Sequence, residues 1–148
     1  MKQMQASELW DQFVTEHPEY KNKSYEAWNY GVDPDELAHL TKDGTKTATT
    51  SGHELYALEG EELPKENEYS VILDSNNQAV CITKTTRVYV VPFNEVTADH
   101  AFKEGEGDRT LAYWKKVHTD FFVNEYKQLN TIFKEDSLVV CEEFEVIY

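Results

Sequence analysis

The order in which hydrophobic spacing changes along the chain constrains its fold more than any other feature. Apolar residues recur at helical spacing, then alternate, then return to helical spacing, and alternate again to the last residue. The first stripe is Leu9, Trp10, Phe13 and Val14, opened by Ser7 and Glu8 and stopped by Pro18. Asp33-Pro34-Asp35-Glu36 starts a second helix through Leu37, Ala38 and Leu40, with Gly44 placed to end it. Between them, residues 24–31 (SYEAWNYG) read as a short helical turn or a loop.

Strand-like runs fill the middle. A small, β-branched stretch covers residues 46–51, and an acidic loop with Gly60 and Pro64 follows at 60–68. Tyr69 to Leu73 and Ala79 to Thr83 flank Asp74-Ser75-Asn76-Asn77, good hairpin chemistry, and Thr85 to Val91 continues in β-rich style. A short helix then runs from Thr97 to Phe102, broken at Gly105 and Gly107. A long one from about Arg109 to Tyr126 buries Leu111, Trp114, Val117, Phe121 and Phe122, and an alternating strand from Leu138 to Tyr148 closes the chain. Helices, strands, helices, strand, without βαβ alternation, predict an α+β fold with a largely antiparallel or mixed sheet. No repeat or linker divides the 148 residues, so one domain is expected.

Charge narrows the function. Asp and Glu number 28 against 14 Lys and Arg, a formal net charge of −14, and nonspecific binding of a polyanion needs the opposite balance. DNA is therefore excluded as an expected partner, and long RNA is disfavoured relative to a small ligand. No stretch is apolar enough to span a bilayer, and the charged N-terminus does not read as a signal peptide, so no membrane role and a cytoplasmic location are expected. Cys81 and Cys141 each lie in an apolar run without a C-x-x-C partner and read as buried free thiols.

Two glycine-marked segments hold the candidate chemistry. GTKTATT (residues 44–50) sets one Lys among hydroxyls where a helix gives way to a strand, without the spacing of a phosphate loop. EGEGDRTLAYW (residues 104–114) puts Glu104, Glu106 and Asp108 ahead of the long helix, where acids suit its N-terminal dipole and Asp108 can cap it. Each alone is as well explained by structure as by function. His100 and Glu104, four apart, can share a helix face but are too few to bind metal, and His118 reads as a packed or half-exposed histidine. No metal and no cofactor are expected.

Together with W-x-Y-G (residues 28–31) and HAFKEGEGDRTLAYW (residues 100–114), these segments resemble the ASCH family over roughly residues 24–148. The likeness is to its larger bacterial members with extra helical sequence at the N-terminus, here residues 1–23. The resemblance implies a PUA-like fold, a small twisted mixed β-barrel with helices packed around it. It also implies RNA or nucleoside recognition in a cleft. Some members hydrolyse the amide of acetylated cytidine with a Lys and a Thr from G-x-K-x-x-T and a Glu from H-A-x-x-E. Those positions hold Lys46, Thr49 and Glu104, and Trp28, Tyr30, Thr47, Thr50, Ser51 and Glu106 are the expected substrate-binding neighbours. Relatives often carry Arg in a T-x-R pattern where this chain has Ser51, so that position offers no cation.

On this reading Thr49 is the nucleophile, Lys46 its base, and Glu104 a proton shuttle or support. Residues three apart on a regular strand face opposite ways, so Lys46 and Thr49 need a turn or bulge between them. The residues leave two further readings open: an RNA- or nucleotide-binding module using the same cleft, and a partner-binding domain using its acidic face.

Overall fold

A computed structural model of the protein describes residues 4–148; residues 1–3 of the expected N-terminal extension lie outside the described residues. In chain order the elements are α1 (Ala6–Glu16), β1 (Glu26–Asn29), α2 (Pro34–Lys42), β2 (Ala48–Gly52), α3 (His53–Leu58), β3 (Tyr69–Leu73), β4 (Ala79–Pro92), α4 (Ala98–Glu104), α5 (Leu111–Gln128) and β5 (Leu138–Val146). Five strands form one sheet in the order β1-β3-β4-β5-β2. β1 runs parallel to β3, while β3 with β4 and β2 with β5 are antiparallel. The fold class is the expected α+β with a mixed sheet.

The chain divides into two compact units. The first takes the chain up to Lys46, then Glu66–Thr86 and Phe144–Tyr148; the second comprises Thr47–Lys65 and Arg87–Glu143.

In the first unit, α1 buries Trp10 and Phe13 against Tyr69, Val71, Leu73 and Ile82. Each such ring removes enough apolar surface from water to contribute roughly 2–3 kcal/mol. Ser7 does not cap this helix, which begins one residue earlier; the Gln5 N–H donates to Glu8 Oε1 at 3.2 Å instead. Residues 26–29 form a strand where a helical turn or loop was expected, with Trp28 opposite Ile72. The partner strand is more than forty residues away, and four residues carry too little periodicity to announce it.

α2 starts at Pro34 as read, but Asp33 adopts a left-handed conformation and makes no side-chain cap. Asp35 takes a different task, accepting the Ser75 N–H at 2.8 Å and its hydroxyl at 2.9 Å, and those bonds hold its carboxyl below the usual range. Asp74 shapes the hairpin by accepting the N–H groups of Asn76 and Gln78.

The second unit packs α5 on β5 and on the segment around Phe93. Trp114, His118, Phe122 and Tyr126 are its buried residues, one stripe at strict four-residue spacing, while Val117 and Phe121 are only half-buried. Thr110 caps α5 by accepting the Tyr113 N–H at 3.1 Å. Asp108, the expected cap, instead accepts both the hydroxyl and the N–H of Thr110, which lowers its carboxyl from the usual value. α3 has no counterpart in the sequence reading. It follows Gly52 directly and has no side-chain cap, so nothing local marks its start.

Both cysteines are free and buried, and burial pushes each thiol up to about 12. Neither is a ready nucleophile. Among the described residues, no helix is long and apolar enough to cross a membrane.

Candidate active site

Lys46 follows the end of α2. Gly44 takes φ 86° to reverse the chain, and the Lys46 N–H then donates to the Leu40 carbonyl at 3.0 Å. The side chain is 1% exposed, with Nζ 5.2 Å from the centroid of the Tyr30 ring. A cation over an aromatic face is attracted by the ring's quadrupole. Thr41 gives its hydroxyl proton to the Leu37 carbonyl, so Tyr30 must be the donor in its 2.8 Å bond to Thr41. Half-buried Trp28 meets Tyr30 edge-on at 5.0 Å. Both rings thus belong to a small core with Ala38, Ile72 and Cys81.

Residues 46 and 47 are not strand; β2 begins at Ala48. The Thr47 N–H anchors the start of β2 by donating to the Lys103 carbonyl at 2.7 Å. Along β2, alternation decides which hydroxyl goes where. Ala48, Thr50 and Gly52 are buried, and Thr49 and Ser51 between them are half-buried on the other face. The Ser51 hydroxyl lies 2.6 Å from that of Tyr56.

The Thr50 face meets a carboxylate. Glu104, 1% exposed at the end of α4, accepts the Thr50 hydroxyl at 2.6 Å and the Trp114 indole N–H at 2.6 Å, both on Oε2. His118 Nε2 stands 3.5 Å from Oε1. His100, one turn before Glu104 on α4, places Nε2 2.7 Å from the Thr50 hydroxyl and 3.3 Å from Oε2.

The partners assign the protons. Thr50 spends its single proton on Glu104, so His100 Nε2 carries a hydrogen and donates to Thr50. His100 Nδ1 lies 3.3 Å from the Tyr89 hydroxyl. His118 Nδ1 faces the Trp114 carbonyl at 2.9 Å, an acceptor only, so Nδ1 is protonated and Nε2 is the atom turned to Glu104. Burial alone would lower the His118 pKa, but the charges of Glu104 and Glu106 outweigh it and the imidazole is raised above its ordinary 6.5.

The donor atoms of Glu104, Glu106 and His118 lie within 4.8 Å of one another, the grouping among the described residues able to close on a cation. Within it, His118 Nε2 and Glu104 Oε1 stand at ion-pair distance, 3.5 Å. A groove of ≈ 480 Å³ runs elsewhere along α5, beside Lys115, Thr119 and Val123, and none of the expected site residues lines it. The sequence reading missed that Thr50, Trp114 and His118 converge on Glu104. It had the four-residue spacing of His100 with Glu104; the same spacing of Trp114 with His118 is the signal it passed over.

The family described as "ASCH domain" matches residues 26–148. The crystal structure of an ASCH domain from Lactobacillus crispatus superposes with a TM-score of 0.88 at 32% identity, covering 94% of this chain and 91% of that one. A protein from Enterococcus faecalis V583 gives a TM-score of 0.83 at 35% identity, covering 93% and 85%. No curated protein matches the chain.

Proposed function

Because the chain belongs to the ASCH domain family, we propose that it hydrolyses the amide of a small acylated nucleoside of the cytidine type. Its α+β fold is PUA-like, a fold associated with RNA binding. We read the chain as one ASCH domain with residues 1–23 as a helical extension.

The observation that carries the proposal is the Glu104 carboxylate. A charge that deeply buried costs several kcal/mol unless it is compensated, and a cleft that only bound ligands could use a neutral acceptor. Here two donors hold Oε2 and an imidazole with a raised pKa faces Oε1, an arrangement suited to storing and moving a proton.

In the proposed reaction the Thr49 hydroxyl attacks the acyl carbonyl while Lys46, having first given up its own proton to become the neutral amine, takes the hydroxyl proton. The exocyclic amine of the base leaves with a proton, and water then releases the acyl group from Thr49. Glu104 shuttles protons during both halves. Trp28, Thr47, Ser51 and Glu106 are the proposed substrate contacts. Tyr30 and Thr50, whose hydroxyls are engaged by Thr41 and Glu104, hold those residues in place. Thr49 rather than Thr50 is the proposed nucleophile because Thr50 is on the buried face of β2. The net charge of −14 favours a small, uncharged substrate over a polyanion.

The test is a panel of acylated cytidines offered to the purified protein, beside single-stranded RNA of unrelated sequences at rising salt. Turnover of at least one nucleoside, with weak RNA binding that fades as salt rises, is the expected result. No turnover together with tight, salt-insensitive RNA binding would overturn the proposal in favour of a binding module.

A further inference from the structure

We propose that His118 is a positioning residue for Glu104: through Trp114 it is aimed at one carboxylate oxygen and brings a protonatable ring against the buried group.

The geometry is specific. His118 and Trp114 are one helical turn apart, their rings stacked at 4.2 Å with 17° between planes. Trp114 acts on Glu104 twice. Its indole N–H binds Oε2 directly, and its backbone carbonyl holds His118 Nδ1, which leaves Nε2 facing Oε1. Oε2 accepts from Thr50 and Trp114, and Oε1 is the oxygen that faces His118 Nε2. A proton exchange between those two atoms is balanced within the pair. A proton leaves His118 Nε2 for Oε1, and imidazolium with carboxylate becomes neutral imidazole with carboxylic acid. The charged groups facing His118 are Glu104 from α4 and Glu106 from the following loop; its own helix contributes the Trp114 carbonyl. Both carboxylates favour the protonated ring, and its raised pKa agrees with that. His118 is 9% exposed and Glu106 half-buried, so the pair lies near a route to water that Glu104 itself lacks.

Nitrogen-detected NMR on the intact protein labelled at histidine tests this without any substrate, with His118→Gln identifying the resonance. The expected result is a titration above the ordinary 6.5, with Glu104→Gln lowering it. A His118 titration at or below 6.5 in the unmodified protein overturns the inference. So does a titration unmoved by Glu104→Gln.

A second arm rests on the proposed amide hydrolysis. There His118→Gln lowers kcat with little change in KM and shifts the pH profile. A loss of thermal stability with an unchanged profile would mean that His118 only packs, and would overturn it. Failure of all acylated cytidines to turn over counts against the proposed function alone, because the nitrogen shifts are read in the substrate-free protein.

Discussion

Two buried clusters, one around Phe13 and one around Glu104, show how differently this chain uses its aromatic rings. Around Phe13, rings meet rings: Tyr20 lies at 4.8 Å, Tyr148 at 5.2 Å and Trp10 at 5.4 Å. Trp10 stacks in turn on Tyr25 at 4.7 Å. No ionisable group beyond the tyrosines is buried there, and the cluster fastens α1 to β3. Around Glu104 the rings surround a charge. Trp114 stacks on His118 on one side and on Phe93 at 5.2 Å on the other, and its N–H binds the carboxylate. The first cluster contributes stability. The second trades some of it for an ionised group away from bulk water, and that trade is the reason to look for chemistry there.

Substitutions can pull the two clusters apart. The largest stability loss is expected from Phe13→Ala, about 3–5 kcal/mol in chemical unfolding, with turnover per folded molecule unchanged. Glu104→Gln should invert that profile: a stability cost of about 1–3 kcal/mol, but turnover lower by about a hundredfold or more in steady-state assays. An equal loss of turnover in both variants would erase the distinction.

Gly52→Ala probes the floor of the second unit. A Cβ there would stand 2.5 Å from the Tyr126 hydroxyl and 2.7 Å from its ring, so the expected cost is about 1–3 kcal/mol from overpacking. The smallest effect belongs to Tyr126→Phe. Its hydroxyl is the buried side-chain oxygen without a partner among the described residues, so removing it should leave the melting temperature unchanged or slightly raised.

The pH dependence of stability follows from His118. Its folded pKa is raised, so its contribution is complete below the ordinary value of 6.5 and is lost as pH rises through the folded value. The stability difference between the unmodified protein and His118→Gln should therefore shrink as pH climbs above 6.5, as followed by unfolding at several pH values.

Elements with local causes were legible in the sequence. Pro34 after Asp33 marks α2, Asp74 to Asn77 mark the hairpin, and alternation from Leu138 marks β5. β1 was not, because a four-residue strand owes its form to pairing with β3 across the chain. The same split runs through the site. The sequence offers His100 and Glu104 on one helix face and Trp114 and His118 on another. Only folding brings the indole and the second imidazole to the carboxylate. The parity of β2 was hidden as well: moving its first residue by one would exchange Thr49 and Thr50 between faces.

The central claim, that Thr49 and Lys46 work as nucleophile and base, is tested most directly by turnover of the best acylated cytidine in a double-mutant cycle. Thr49→Ala and Lys46→Ala should each abolish nearly all turnover, and the double variant should lose little more than either. Thr49→Ser should keep measurable activity, while Lys46→Arg should fail because a guanidinium does not surrender its proton. Full activity in Thr49→Ala would contradict the account outright.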